Sequence, residues 1–337
     1  MTERGKSKKI DRLRLILAGV ILAMIVGIVI FAFTSSQRQK GPKKVIAVAK
    51  TTDTSVAFWL SVRSGMEEAG REFSVDVDFR APASESDIEG QIRMMDQAIA
   101  EKPDAILLSA SDQHLLVAPV LRARDAGIPV IMFDSSIEAQ TDKFAETFVA
   151  TDNVRAGGLA ASAILEAVPD GSTVAIIAHN INTTSGHDRE SGIRNGIDGH
   201  YEVLDTYDCE GSKERAFEEA RRLLARDDVA AIICTNEYTT SATLDAIAEQ
   251  AEPRDVVVVG FDNSYQMMNA LEDRTLTATV IQKAFNMGYL AVDKTVRHLN
   301  KEALEPFYDS DSALITRDVM YEKENEQLLF PFNPQGD

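Results

Sequence analysis

Cysteine and histidine are scarce in this chain, and the common catalytic motifs are absent. Only two cysteines and five histidines occur among 337 residues, and neither set has the spacing of a metal site. The chain has no G-x-G-x-x-G after its first apolar run, no P-loop, no G-x-S-x-G, no H-E-x-x-H and no calcium loop of alternating acids. Asp134 could pair with His179 or His187 as acid and base, but no nucleophile is placed beside them. These absences argue against an enzyme and against a metal or other cofactor.

Positive charge is scarce outside the first 42 residues. The formal net charge is −18, and residues 43–337 hold 27 basic against 51 acidic side chains. An acidic body of this kind argues against nucleic acid or an anionic membrane surface as the ligand. Solubility alone is enough to account for the acidic excess.

The longest apolar run of the chain lies close to its N-terminus, directly after a basic flank. Leu15–Phe33 holds 19 residues without a charge, and as a helix it would span about 28 Å, close to the ~30 Å hydrocarbon core of a bilayer. We expect the basic flank to stay in the cytoplasm. The sequence therefore predicts one N-terminal transmembrane helix, within residues 1–42 that comprise the flank, a signal anchor and a short polar tether.

A cleaved secretory signal peptide is the alternative interpretation of Leu15–Phe33. The apolar core of a signal peptide usually has about 7–15 residues, so the longer run favours the uncleaved anchor. Thr34 or Ser36 could still precede a cleavage point, and no cysteine near the end of the run offers a lipoprotein anchor. Both interpretations place Lys43–Asp337 outside the cytoplasmic membrane, either anchored to its outer face or free in the periplasm.

Seven short apolar runs are each followed by a polar side chain. The runs are Val45–Ala49, Ala105–Leu108, Val130–Phe133, Thr173–Ala178, Ala230–Cys234, Val256–Phe261 and Ala278–Ile281. The polar residues just past them are Thr51, Ser109, Asp134, His179, Asn236, Asp262 and Gln282. Ligands of an open α/β sheet bind outside the carboxyl ends of its strands. This row of donors and acceptors therefore predicts a pocket for a small polar molecule.

Amphipathic stretches with helical periodicity alternate with these runs. They lie near Ala57–Arg71, Glu85–Ala100, Leu115–Ala126, Arg155–Val168, Ser185–Ile197, Ser212–Ala225, Thr239–Gln250 and Ala284–Leu299. Two further strands are predicted at Val75–Phe79 and Glu202–Tyr207, and Asp152 or Asn153 is the expected N-cap of the fourth helix. Short apolar strands that alternate with helices indicate parallel sheets covered on both faces. Because the alternation restarts midway, we predict an α/β protein with two doubly wound lobes that face each other across a cleft.

Six segments spread over Lys43–Arg317 share their order and spacing with one known family. They are Phe58-Trp59 with Ser61 and Gly65, Ile128–Asp134, Ala150–Asn153 with Gly157-Gly158, Asp188–Gly192, Val258–Asp262 and Ala278–Gln282. Each segment alone is a weak signal, but their collinearity is strong. In this order the segments resemble the type I periplasmic sugar-binding proteins of the ribose/galactose group.

The resemblance implies two parallel-sheet lobes joined by a three-crossing hinge that closes on a sugar. It assigns residues 43–150 and 283–309 to an N-terminal lobe, residues 151–282 and 310–322 to a C-terminal lobe, and residues 323–337 to a C-terminal tail. Each lobe would have the strand order 2-1-3-4-5. That order puts a strand between those of Cys209 and Cys234, a separation of about 9–10 Å, which disfavours a disulfide.

The resemblance also implies a set of ligand-binding residues. They are Thr51, Ser55, Phe58, Trp59, Asp134, Arg189, Asn236, Asp262 and Gln282. Phe58 and Trp59 fall where the family places aromatic rings against the sugar, and Arg189 falls on the arginine that holds ring hydroxyls. The register of Thr51 and Ser55, in the first strand–helix loop, is open by one residue.

Structural roles are the alternative for several of these residues. The aromatic pair could belong to the core, and Gln282 could serve the hinge backbone. Asn236 and Asp262 could cap the helices that follow them. His179 and His187 are interpreted as polar loop residues rather than as ligands.

Two departures from the family pattern argue against ribose as the ligand. Ser135 stands where the ribose-binding pattern has an arginine, and Asp208–Gly211 lacks an expected aromatic residue. Neither departure changes the class of protein that the resemblance implies.

We therefore expect an extracytoplasmic solute-binding protein, not an enzyme, that captures a monosaccharide-like ligand between two lobes and presents it to an ABC importer. The alternative is a membrane-tethered sugar receptor that reports to a sensor kinase or chemoreceptor. An enzyme of the same fold class is a low-ranked alternative. A transcriptional repressor of this fold is disfavoured because Leu15–Phe33 occupies the place of a DNA-binding segment, and we expect no nucleic-acid partner.

Overall fold

The structure, a computed structural model, describes residues 24–27, 41–53, 56–138, 145–251 and 254–329. The chain divides into two units, and the fold below is that of the second, Lys44–Asp337. None of the described helices is both long and apolar enough to span a membrane. Apart from residues 24–27, the predicted transmembrane run Leu15–Phe33 lies outside the described residues.

The first sheet has six strands in the order β2-β1-β3-β4-β5-β12, and neighbours from β1 to β12 run parallel. Its strands are β1 (Lys43–Val48), β2 (Val75–Arg80), β3 (Ala105–Leu108), β4 (Val130–Phe133), β5 (Phe148–Ala150) and β12 (Phe307–Asp309). Helices α1 (Ala57–Phe73) and α9 (Ala284–Leu299) cover one face, while α2 (Ile88–Glu101) and α3 (Val117–Asp125) cover the other. Because side chains alternate along a strand, Val45 packs on the first face and Ile46 on the second.

The second sheet has the order β7-β6-β9-β10-β11-β13, with β8 also paired to β6. Its strands are β6 (Thr173–Ala178), β7 (Glu202–Val203), β8 (Tyr207–Asp208), β9 (Val229–Cys234), β10 (Val257–Phe261), β11 (Ala278–Gln282) and β13 (Ser312–Thr316). Its helices are α4 (Asn153–Ala167), α5 (Thr184–Ile197), α6 (Lys213–Leu224), α7 (Glu237–Ala248), α8 (Tyr265–Glu272) and α10 (Lys323–Leu329). The pairings run parallel except that of β13, which is antiparallel to β11.

Both sheets have the strand order 2-1-3-4-5 that the resemblance implies, and each gains one strand at its last edge. The prediction of a single strand over Glu202–Tyr207 is wrong. Val174 pairs with Val203 and Ile177 with Tyr207, so this edge holds one residue more than its partner and breaks into β7 and β8. Strands β5, β12 and β13 and helix α10 are not predicted from the sequence pattern, because three to seven residues are too few to show a period.

Helix α9 packs on the first sheet although it follows β11, a strand of the second. Its buried residues join those of α1 in one apolar cluster. The two helices lie so close that a Cβ at Gly288 would be 2.0 Å from the carbonyl oxygen of Val62. Glycine is needed there because the backbones of α1 and α9 touch. The chain therefore returns to the first lobe after it has built most of the second.

The chain passes between the sheets at three places: Ala150 to Asn153, Gln282 to Ala284, and Asp309 to Ser312. Asp311 in the third crossing accepts hydrogen bonds from Lys283 Nζ at 2.6 Å and Arg155 Nη2 at 3.0 Å. The bond from Lys283 is the main reason that the pKa of Asp311 falls to about 2. Deeper in, Thr151 Oγ1 donates to Gln282 Oε1 at 3.0 Å. These contacts tie the three crossings into one hinge.

Candidate functional site

A small cavity lies between the carboxyl ends of the two sheets. It is lined by Lys50, Val56, Phe58, Trp59, Glu85, Asp134, His179, Ser185, Arg189, Asn236, Glu237, Asp262 and Gln282. The first lobe contributes side chains up to Asp134, and the remainder come from the second lobe and the hinge. Seven of the nine residues predicted to bind ligand line this cavity.

The first lobe places a buried ion pair in the wall. Lys50 follows β1, and its Nζ lies 2.8 Å from Oδ2 of Asp134, which follows β4. Ser109 Oγ also donates to Asp134 Oδ2 at 2.8 Å. Burial alone would raise the pKa of Asp134, but the charge of Lys50 and these hydrogen bonds outweigh it and hold the pKa below its usual range. The aspartate is therefore ionised, and its charge is matched inside its own lobe.

Trp59 and Glu85 form a second pair in the same wall. Trp59 Nε1 donates to Glu85 Oε1 at 2.9 Å, while the indole ring packs edge-on to Phe58 and Phe133 with centroids 5.0 and 6.3 Å away. Burial raises the pKa of Glu85. Both aromatic residues belong to the apolar cluster of the first lobe and also line the cavity. The core interpretation is therefore correct for both residues, and their contact with a ligand stays a prediction.

Arg189 on α5 is held rigidly in the wall of the second lobe. Its Nε donates to Asn153 Oδ1 at 2.8 Å and its Nη1 to the carbonyl of Thr235 at 2.7 Å. The guanidinium carbon lies 4.7 Å from the centre of the Phe261 ring. A Cβ at Gly157 would come within 2.3 Å of the Arg189 carbonyl oxygen, so the glycine lets α4 approach α5 here. Within the described part of the chain, no carboxylate forms an ion pair with Arg189.

Asp262 and Gln282 are joined at the hinge end of the cavity. Gln282 Nε2 donates to Asp262 Oδ1 at 2.7 Å. Asp262 has a left-handed backbone, with φ of 67°, directly after β10. Ser264, not Asp262, caps α8 by accepting from the Met267 amide, so the capping alternative for Asp262 is wrong. Burial raises the pKa of Asp262 despite the nearby charge of Arg189.

The remaining predicted residues differ in their placement. Asn236 lines the cavity and also caps α7, where its Oδ1 accepts from the Thr239 amide at 3.0 Å. Thr51 is buried but is not among the residues that line the cavity; its Oγ1 donates to the carbonyl of Ala83. Ser55 lies outside the described residues.

Six lining residues were not among the predicted ligand contacts: Lys50, Val56, Glu85, His179, Ser185 and Glu237. His179 directly follows β6, and its Nδ1 lies 2.8 Å from Thr235 Oγ1. Burial, together with the charges of Arg189 and Lys50, lowers the pKa of His179 well below its usual range, so the ring is neutral. The position of His179 directly after a predicted strand could have identified it as a residue that lines the cavity. His187, by contrast, is exposed on α5 beside Asp188.

Groups of the two lobes also contact each other beside the cavity. Ser135 Oγ lies 2.8 Å from Ser185 Oγ, and the Gln113 amide donates to the carbonyl of Asn182 at 2.9 Å. The arrangement is therefore that of a closed cleft, in which a ligand would be enclosed by both lobes.

Metal chemistry finds no support in the described ranges, where no three His, Cys, Asp or Glu side chains are grouped to hold an ion. Cys209 and Cys234 are both buried free thiols. Burial raises the pKa of Cys234 to about 12, so this thiol is not a reactive thiolate. What the cavity offers is a rigid set of donors and acceptors beside aromatic rings, which suits binding of a small polyhydroxylated molecule.

Comparison with known proteins agrees with this geometry. The profile of the family described as "Periplasmic binding protein domain" matches residues 46–303. The D-allose-binding periplasmic protein of Escherichia coli (strain K12) is 28% identical over 274 residues, which cover 77% of this chain and 88% of that protein. The ribose import binding protein of Bacillus subtilis (strain 168) is 26% identical over 255 residues, which cover 75% and 81%.

A solved structure extends the similarity to three dimensions. An ABC transporter solute binding protein from Agrobacterium vitis, with bound D-fucose, is 30% identical and superposes with a TM-score of 0.80, covering 85% of this chain and 99% of that one. Two parallel-sheet lobes around a polar cleft define a binding protein of the type I periplasmic class. The chain belongs to the periplasmic binding protein family, in its type I sugar-binding group, and this prediction from the sequence is confirmed.

Proposed function

We propose that this protein captures a monosaccharide-like ligand between its two lobes, outside the cytoplasm, and presents it to an ABC importer. The observation that carries the proposal is the cavity between the lobes, whose wall holds polar groups from both sides. Because the two lobes also contact each other beside this cavity, the closed cleft favours one sugar unit over an oligosaccharide. The lobes of the proposal are residues 43–150 with 283–309 and residues 151–282 with 310–322, in keeping with the membership of the two sheets.

The chemistry of the wall supports a sugar. A sugar has apolar C–H faces and a rim of hydroxyls, and Phe58 and Trp59 offer rings for the faces. Asp134, Arg189 and Asp262 offer charged partners for the hydroxyls. Hydrogen bonds to charged groups contribute about 1.5–3 kcal/mol each, against about 0.5–1.5 kcal/mol for an aromatic contact beyond its buried area. The polar residues should therefore dominate affinity, and the proposed protein binds without catalysing a reaction.

A sugar screen tests the proposal. The full-length protein, kept in a non-carbohydrate detergent, is heated with D-allose, D-ribose, D-fucose and other free aldoses, and melting temperature is recorded. We expect at least one aldose to raise the melting temperature and to bind with micromolar or tighter affinity, about −8 kcal/mol. Asp262→Ala is the control and should lose the shift. If no sugar shifts the transition while a nucleoside, amino acid or peptide does, the ligand class is wrong.

We further propose that Leu15–Phe33 anchors the protein to the outer face of the membrane, which makes a sugar receptor for a sensor kinase or chemoreceptor the second candidate. The length of this run and its basic flank support the anchor. Mass spectrometry of the N-terminus from native membranes provides the test, and a chain that begins near Ser35 or Gln37 would exclude the anchor. Affinity purification then separates the candidates: recovery of a permease supports import, and recovery of a kinase or chemoreceptor supports sensing.

A further inference from the structure

Helix α1 begins without a capping side chain at its N-cap position. Its N-cap residue is Val56, which has an extended backbone and no side-chain acceptor for the first-turn N–H groups. The helices of the second lobe that border the cavity are capped locally, α5 by Thr183, α7 by Asn236 and α8 by Ser264. Helix α1, which carries the aromatic wall, is thus the one of these four whose N-cap residue provides no side-chain acceptor.

The missing acceptor comes from the opposite lobe. Glu237, at the start of α7, accepts from the Ala57 amide through Oε1 at 3.2 Å and from the Phe58 amide through Oε2 at 3.3 Å. Only 4% of Glu237 is exposed, so water competes little for these bonds.

The contact joins two helices that belong to different lobes. Helix α1 follows β1, which is three strands from β5 at the hinge edge of the first sheet, and α7 follows β9, which is two strands from β11. A rotation that opens the cleft therefore pulls Glu237 away from α1.

We propose that Glu237 is a positioning residue that joins the lobes: closure completes the N-terminus of α1 and so fixes Phe58 and Trp59 against the cavity. This inference rests on the proposed function only for its effect on sugar affinity, since the contact itself involves protein groups alone. Opening exposes the two backbone amides and the carboxyl group of Glu237 to water, and closing restores both hydrogen bonds. Glu237 thus shifts the lobes toward the closed form before any sugar adds its own contacts.

Ligand-free measurements on the full-length protein test this directly. We compare wild type with Glu237→Ala and Glu237→Gln by hydrogen exchange at the Ala57 and Phe58 amides and by small-angle scattering. Glu237→Ala should speed exchange about fivefold to tenfold and enlarge the radius of gyration. Glu237→Gln keeps one acceptor and should lie between. The matched control is Glu214→Gln, an exposed first-turn acid of α6 that contacts only its own lobe through Ser212, and it should change neither quantity.

A second substitution separates the capping of α1 from the joining of the lobes. Val56→Asp, added to Glu237→Ala, gives α1 an acceptor from its own lobe. We expect it to restore slow exchange at the Phe58 amide, the N2 position that an N-cap side chain reaches, while the radius of gyration stays large. Unchanged exchange in Glu237→Ala, or a radius of gyration equal to that of Glu214→Gln, overturns the proposal; if Glu237→Ala does not fold, Glu237→Gln decides by the same two measurements. A failed sugar screen would remove the proposed function and leave these results valid.

Discussion

The two walls of the cavity hold their charged side chains in different ways. In the first lobe two opposite charges form an ion pair, in which Lys50 Nζ lies 2.8 Å from Asp134 Oδ2. In the second lobe charge meets neutral groups: an amide, a carbonyl and an aromatic ring hold Arg189, and the amide of Gln282 holds Asp262. The first wall is balanced before a ligand arrives, whereas the second keeps its charges available.

This difference separates stability from affinity. Removing one member of a buried pair strands the other charge in a site with little water, so substitution in the first wall should act mainly on folding. Arg189 and Asp262 bond to neutral groups and feel each other's charge only beyond ion-pair distance, so substitution in the second wall should act less on folding and more on ligand binding.

The largest expected effect comes from breaking the balanced pair. Asp134→Ala leaves Lys50 buried without its partner and should lower the free energy of unfolding by about 3–5 kcal/mol, as measured by urea denaturation. Affinity for the sugar found in the screen should also fall at least tenfold. The double variant Asp134→Ala with Lys50→Met should recover much of the stability. A loss below about 1 kcal/mol in the single variant would show that the pair is not what balances this wall.

The second-largest expected effect is a loss of sugar affinity on substitution of Arg189 or Asp262 in the second lobe. Arg189→Lys keeps the charge but loses the planar fork, and we expect sugar affinity to fall about hundredfold by calorimetry. Asp262→Ala should reduce affinity at least tenfold. The free energy of unfolding should change less in both variants than in Asp134→Ala. If Arg189→Lys binds sugar normally, or unfolds more readily than Asp134→Ala, the contrast between the walls is wrong.

The smallest expected effect is a change of stability with pH that comes from Glu237, the residue of the second lobe that contacts helix α1 of the first lobe. Burial and the charge of Asp262 raise the pKa of Glu237 to about 8, compared with about 4.3 in an unfolded chain. The folded state therefore holds this proton more tightly, so its contribution to stability is complete below about pH 4 and is lost as pH rises through 8.

We expect the free energy of unfolding to fall by about 1 kcal/mol between pH 7 and 8 from this group, measured by denaturant titration. This window lies above the range in which His179 titrates in the unfolded chain. Glu237→Gln should flatten the profile, while Glu214→Gln should not. An identical slope in wild type and Glu237→Gln would assign the pH dependence to another residue.

The main architecture could be predicted because short apolar runs with regular spacing form most of its strands. The bounds of β3, β4, β6 and α9 match the predicted segments to the residue. Edge strands such as β12 escaped prediction since they are short and partly exposed, and their pairing depends on the chain returning from elsewhere. Local sequence patterns do not show that the chain later returns to pair with a distant strand.

The residues of the site also differ in whether the sequence could predict them. Asp134, Asp262 and Gln282 were predicted to bind ligand because they end or follow buried strands, and all three line the cavity. Lys50 and Glu85 gave no signal, because lysine and glutamate beside a loop are usually solvated. In the loop after β1 the sequence pattern locates the ligand-facing position only to within one residue. Lys50 lines the cavity, whereas the predicted Thr51 next to it does not.

The hinge sets an order of events in time. Only Ser310 and Asp311 separate β12 from β13, the edge strands of the two sheets, so the lobes turn about this edge and cannot slide apart. Displacement during such a turn grows with distance from the axis. Gln282 stays almost in place, while Gln113 and Asn182, which follow strands farther from that edge, travel farther. A sugar that enters an open cleft therefore meets its hinge-side partners first, and it leaves by releasing the rim before the hinge end.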